Sequence, residues 1–333
     1  MNDTATPGAC PVKYRFRRLH RMPARIATAL ACVAAIASAS LSSGAAGPSP
    51  LDFSEYQRLL DDHLVITSPR GAPLETRFDY FKLYASAGCA ERMVSVRTAL
   101  LSVAPAELSR EQRRAWAINT YNFLVLDLAT ANLISRHIGL DLKAQGIFGI
   151  PVRSVQHIKI NGAGFFEFPV AQIGGHDYNL DQFERKFVFD DPEPAASGTK
   201  RKPLAKSLDP RAHFALVCGA IGCPPLQPRA FVPESLDVQL DRATRNALAH
   251  TKHLSWDPEL KRLAASSVFT WYEADFGGAA KAFEFALRYA PDSLRAVAAA
   301  KPQPGFDRTL PWNWDLNTVP QKPRPARPVP DTP

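Results

Sequence analysis

The sequence predicts an α+β fold: a helical N-terminal part with a long buried helix packed on a small mixed or antiparallel sheet, in a single domain. Three observations predict it. Apolar residues recur at helical spacing over the first part after residue 50. One stretch near 109–134 is apolar nearly all round, and beyond it short strand-like runs are mixed with helices. With 333 residues, of which 22% are charged, the chain is long enough for a large core and too apolar to remain disordered.

Taken in order, Leu51 to Leu64 reads as a helix, with Phe53, Tyr56, Leu59, Leu60 and Leu64 on one stripe, and Ser68 to Pro73 breaks it. Helical spacing resumes from Arg77 to Ala87 and from Glu91 to Val103, with Cys89 as a small packing residue between them. Ser109 and Gln112 form a capping box that opens the long helix, running to about Ile134 and carrying Trp116, Ile118, Phe123, Leu124 and Leu128. Asn119 and Asn122 lie on one face of this buried helix, where an amide needs partners. They either hold a neighbouring backbone or orient a catalytic group, and the first is favoured.

Residues 139–163 read as loop with a short strand at His157–Ile160. Phe165–Ile173 and His176–Tyr178 read as strands joined by Gly174-Gly175, and Asn179 with Gln182 caps a helix that carries Glu184 through to Phe189. Asp190–Lys206 is a polar excursion. A helix is expected from Pro233 to about His250, with His250 and His253 as surface residues at its end. A hairpin around Asp257, an aromatic cluster from Ser267 to Phe276, a helix from Gly278 to Tyr289 and an edge strand at Trp312–Leu316 complete the domain.

Residues 1–46 read as a secretory signal: basic through Arg25, apolar from Ile26 to Ile36, then small residues around Ala37-Ser-Ala39 and Ala45-Ala46. The apolar run is shorter than the ~20 residues a membrane span needs, so no span is expected after cleavage. The chain is expected to be exported, periplasmic or secreted, with one globular domain over 51–317 and a Pro-rich basic tail over 318–333. Of the net charge of +8, the leader alone carries +5, and the folded part is nearly neutral. No nucleic-acid partner is expected, because phosphate binding needs a clustered basic face.

The segment Asp209–Pro225 gathers the reactive side chains. Ala212–Val217 reads as a buried strand, which puts Arg211 and His213 on one face and sends Cys218 to the other. Three readings stay open here. Cys223 is a nucleophile with His213 as its base, Glu184 or an asparagine amide orienting it, and the backbone N–H groups of Gly219–Gly222 as an oxyanion hole. Or Cys218 and Cys223 form a small-loop disulfide, which an oxidising compartment permits. Or His213, Cys218 and Cys223 bind a metal, although H-x4-C-x4-C fits no common zinc pattern. No metal and no cofactor is assigned.

Five motifs, Ala115–Asn122, Leu180–Glu184, Asp209–Leu226, Val268–Phe276 and Trp314–Asn317, stand in an order that resembles the family of domains of unknown function numbered 547 (DUF547), over about residues 75–317. The resemblance implies that Asn119, Asn122, Glu184, Arg211, His213, Cys218 and Cys223 belong to the family pattern. The chain departs from it at Arg185, where the family shows histidine. The expected function is a thiol-dependent hydrolase or acyl transferase acting on amide or ester bonds of a small-molecule or peptide substrate. Cys223 would attack, His213 would shuttle the proton, Asn119, Asn122 and Glu184 would orient, and Arg211 would hold an anionic group. The alternative is a non-catalytic envelope binding or scaffolding module with a structural Cys218–Cys223 bridge.

Overall fold

A computed structural model describes residues 51–137, 154–191, 209–300 and 305–320. The expected signal at 1–46, residues 139–153 of the expected 139–163 loop, most of the 190–206 excursion, and the tail beyond 320 lie outside them. The architecture is α+β, as the patterning predicted.

The helix α1 (Ser54–His63) buries Tyr56, Leu59 and Leu60, the predicted stripe. An unexpected hairpin follows, β1 (Leu64–Ile66) with β2 (Thr76–Phe78), in the register Leu64 to Phe78. The Ser68–Pro73 segment therefore breaks the helix into a hairpin connection. Two helices come next, α2 (Tyr80–Ala85), capped by the Asp79 side chain, and α3 (Cys89–Leu101), with Cys89 buried.

The helix α4 (Arg110–His137) is the spine. Its capping box is closed in both directions: the Ser109 amide donates to Gln112 Oε1 at 2.9 Å, and the Gln112 amide donates to Ser109 Oγ at 3.2 Å. From Ala115 to Thr130 every residue is buried, so the helix is surrounded. It packs against α2, α3 and α5 (Leu180–Phe183). Trp116 is fixed within it, its indole N–H donating to the Leu100 carbonyl at 2.7 Å.

The strands are short and dispersed. A two-stranded pair β3 (Lys159–Ile160) with β4 (Ala163–Gly164) precedes the hairpin β5 (Ala171–Ile173) with β6 (His176–Tyr178). Gly174 and Gly175 sit at φ 57° and 79°, the left-handed pair a two-residue hairpin turn requires. The predicted strand thus holds from Ala171 only, and Phe165–Val170 leads into it without pairing along its length. The helix α6 (Leu236–Leu248) precedes a three-stranded mixed sheet, β7 (Leu254–Asp257), β8 (Arg262–Ala265) and β9 (Arg308–Thr309), with β8 and β9 parallel. Between β8 and β9 stand α7 (Ser267–Trp271), α8 (Glu273–Phe276), α9 (Ala279–Tyr289) and α10 (Asp292–Ala299).

Three expectations are corrected. The final strand is Arg308–Thr309 and not Trp312–Leu316. Residues 315–318 instead stitch three places by single bridges, Asp315 to Ser154, Leu316 to Ala220 and Thr318 to Phe78. His253 is not a surface residue but fully buried, edge-on to Phe214 and Trp312, and burial pushes its pKa down to about 3. Ala212–Val217 is not a strand: Pro210–Phe214 forms a 3-10 turn, started by Asp209, whose carboxylate accepts the Arg211 amide at 3.1 Å. No described helix is long and apolar enough to cross a membrane.

Candidate functional site

The tight turn at Pro210–Phe214 changes which side chains meet. Strand alternation would send His213 and Cys218 apart, yet both line one cavity of about 830 Å³, together with Cys223, Glu184 and Asp181. That volume falls within the ~300–1,000 Å³ of small-molecule sites.

The cysteines are joined. Cys218 and Cys223 form a disulfide with Cα atoms 6.2 Å apart. A bridged sulfur has no thiol to ionise, so the nucleophilic reading of Cys223 applies only to a reduced chain. Cys223 is buried and Cys218 half-buried, and the Cys218 amide donates to Cys223 Sγ at 3.0 Å. The intervening turn is held from outside. The Ile221 amide donates to the Asp315 carbonyl and the Gly222 amide to the Asn313 carbonyl, both at 2.8 Å, and the Asn317 amide donates to the Gly219 carbonyl at 2.8 Å. The expected oxyanion hole is corrected on that account, since the Ile221 and Gly222 amides are already committed. Gly219, at φ 79°, and Gly222 are required by close packing. A Cβ at the first would sit 2.9 Å from Val155, and at the second 2.8 Å from the Trp312 ring.

His213 lies between two rings, Phe189 at 4.4 Å and Tyr272 at 4.0 Å between centroids. Its Nε2 is 3.2 Å from Asp275 Oδ2, with both side chains only 2% exposed. The approach is off the hydrogen-bond axis, so the pair is a charge contact that strengthens when the imidazole is protonated. Asp275 was missed from the sequence, where it stood inside a run assigned to aromatic packing.

Glu184 is buried and opens a π-helical segment, Glu184–Val188, that widens the end of α5. Such single-turn π segments are frequent at functional sites, and this one places Glu184 among the residues that line the cavity. Arg185, the departure from the family pattern, does not line the cavity. It is held by Asp191, with Nε and Nη2 donating to one carboxylate oxygen at 3.0 and 2.8 Å.

The remaining expected residues are elsewhere. Asn119 donates to the Phe231 carbonyl at 2.8 Å and accepts the Phe231 amide at 2.9 Å. Asn122 donates to the Ala215 carbonyl at 2.9 Å and accepts the Val217 amide at 3.0 Å. Each amide substitutes for a missing backbone partner of a buried loop, and neither asparagine lines the cavity; Asn122 holds the backbone of Val217, which does. Replacing Asn122 by alanine leaves one buried carbonyl and one buried N–H unpaired. The expected loss is about 2–3 kcal/mol, read as a lower urea midpoint with unchanged slope. Arg211 is also outside the cavity, bonded to Asp209 at 2.8 Å and to Asp237 and Asp241 at 2.6 Å. Its hydrogen bonds to Asp209 raise its already high pKa further, and all five of its N–H donors are taken, leaving none for an anionic ligand.

The outer wall is aromatic. Trp271, 44% exposed, lies 4.8 Å from Trp312 and 5.8 Å from Trp314 between ring centroids, and Tyr121 and Tyr272 face the same space. The sequence pattern places Trp271 in a packing cluster and the other two on an edge strand. The hint lay in the spacing of Trp312 and Trp314, two apart and so turned alike. Among the described residues, no group of three or more His, Cys, Asp or Glu is placed to hold a metal ion.

No curated protein and no solved structure matches the chain. Residues 105–247, which carry the spine helix, Glu184, His213 and both cavity cysteines, match the model of a family described as protein of unknown function, DUF547.

Proposed function

We propose that the chain is an exported binding domain that holds a small-molecule or peptide ligand against the aromatic wall of this cavity. One observation carries the reading: three tryptophans and two tyrosines converge on a ligand-sized space that also receives His213 and Glu184. Broad rings supply contact area at little entropic cost, and a few polar groups fix orientation. The closed bridge supports residence in an oxidising compartment.

The test is a titration of tryptophan emission with small aromatic amides such as N-acetyltyrosine amide and with dipeptides containing them. A saturable change is expected, weakened about tenfold in Trp271→Ala. Absence of any saturable change across the series overturns the reading, and native-like affinity in Trp271→Ala overturns the placement.

A second reading is favoured by the meeting of His213 with both cysteines at one cavity. With the bridge open, Cys223 would attack an amide or ester carbonyl and His213 would take its proton, with Glu184 positioning the substrate. Hydrolysis of p-nitrophenyl acetate that appears only after reduction and is lost in Cys223→Ala supports this reading. Activity independent of reduction sinks it.

A further inference from the structure

We infer that the Cys218–Cys223 bridge is a thiol–disulfide exchange site, which accepts two electrons from a pair of thiols entering the aromatic cavity in turn. This goes beyond ligand binding, because the cavity wall itself reacts. The bridge lines the cavity, so a ligand reaches it without the fold opening. Its sulfurs are unequal: Cys218 is half-buried and can be attacked, and Cys223 is buried and can leave. The Cys218 amide, 3.0 Å from Cys223 Sγ, is placed to stabilise the leaving thiolate.

The turn between the cysteines does not depend on the bridge. Three backbone hydrogen bonds of 2.8 Å to residues 313–317 hold it, and Gly222 is packed on Trp312. Lys252 adds a fourth tie, donating to the Ile221 carbonyl at 3.0 Å. Opening the bridge therefore leaves the backbone where it is, as a reversible couple requires. A staple across five residues of separation adds little constraint to a turn already pinned in this way.

The steps balance. An incoming thiol gives its proton to the His213 imidazole, and its thiolate attacks Cys218 Sγ. The Cys218–Cys223 bond breaks, and its electron pair leaves on Cys223 Sγ. His213 returns the proton to Cys223, and a second thiol, its proton passing to Cys218, attacks the substrate sulfur of the mixed disulfide. The products are one oxidised disulfide and two reduced cysteines, for two thiols consumed.

The experiment uses the full protein and 2-mercaptoethanol, followed by alkylation and intact mass. The bridge is expected to open in native buffer with the circular dichroism spectrum unchanged. In Cys223→Ser the remaining Cys218 is expected to form a mixed disulfide with oxidised 2-mercaptoethanol at least tenfold faster than Cys223 does in Cys218→Ser. His213→Gln is expected to slow opening about tenfold at pH 7 and to leave the rate at pH 9 unchanged. A bridge that opens only in denaturant overturns the inference, as does equal reactivity of the two single cysteines. Because 2-mercaptoethanol needs no binding surface, such a failure leaves ligand binding at Trp271 untouched.

Discussion

Asp127→Ala is expected to destabilise the protein by about 3–5 kcal/mol, measured as a lower urea midpoint. Asp127 is buried on the spine helix, and Arg97 of α3 reaches it with Nε at 2.9 Å and Nη2 at 2.6 Å. The Nη1 of Arg97 donates to the Val170 carbonyl at 2.7 Å, next to β5. One guanidinium thus ties α3, the spine and a hairpin together. Removing the carboxylate leaves a largely buried cation without its countercharge, which costs more than the pair ever contributed. Arg97 retains some solvent contact, with 22% of its side chain exposed, which favours the lower end of the range. The double replacement Arg97→Met with Asp127→Leu is expected to recover most of the loss. A single-variant loss below about 1 kcal/mol would show that the pair is not desolvated as described.

Stability is expected to fall steeply on mild acidification, and His253 with His63 sets the window. Burial pushes the pKa of His253 down to about 3, helped by the nearby charges of Lys252 and His250. It pushes that of His63 down to about 4, helped by Arg92 and Lys82. In the unfolded chain both imidazoles take up protons below about pH 6.5. The folded state does not, so the unfolded state binds more protons and unfolding becomes easier as pH falls. The contribution is fully present above about pH 6.5 and is lost as pH falls toward 4 and 3. By pH 4.5, His253 alone accounts for about 2–3 kcal/mol. His253→Gln should lower stability at pH 7 and roughly halve the loss between pH 7 and 4.5. An unchanged pH dependence in that variant would remove His253 as a cause.

What could be read from the sequence was whatever local pattern decides. The two capping boxes, the all-round apolar spine, the Gly174-Gly175 turn and the hairpin at Asp257 were legible because each is written within a few residues. Pattern failed where a neighbour overruled it. The apolar run Ala212–Val217 has the composition of a strand, but Pro210 and the Asp209 cap bend its start, and Asn122 supplies the partners a strand would have needed. That bend decides the site, because it brings His213 to the cavity with Cys218. Asp275 and the tryptophans were illegible for another reason: only the tertiary fold lays Val268–Phe276 and Trp312–Trp314 across the mouth of the Cys218–Cys223 turn.

The stitching of residues 313–319 has a temporal consequence. Asn317 donates its side-chain amide to the Thr76 carbonyl across 241 residues of sequence, and the Val319 amide reaches Phe78. The same short segment pins the disulfide turn and supplies one of the cavity's tryptophans, Trp314, with a second, Trp312, just before it. During synthesis the N-terminal helices can collapse early, but the cavity wall cannot be completed until the last of these residues has emerged. Contacts of such long reach form slowly, since the intervening loop must be ordered before they reward it. The cavity is therefore the last part of the fold to be completed, and a nascent chain arrested before residue 312 would be helical and partly compact but lack Trp312 and Trp314 from its aromatic wall.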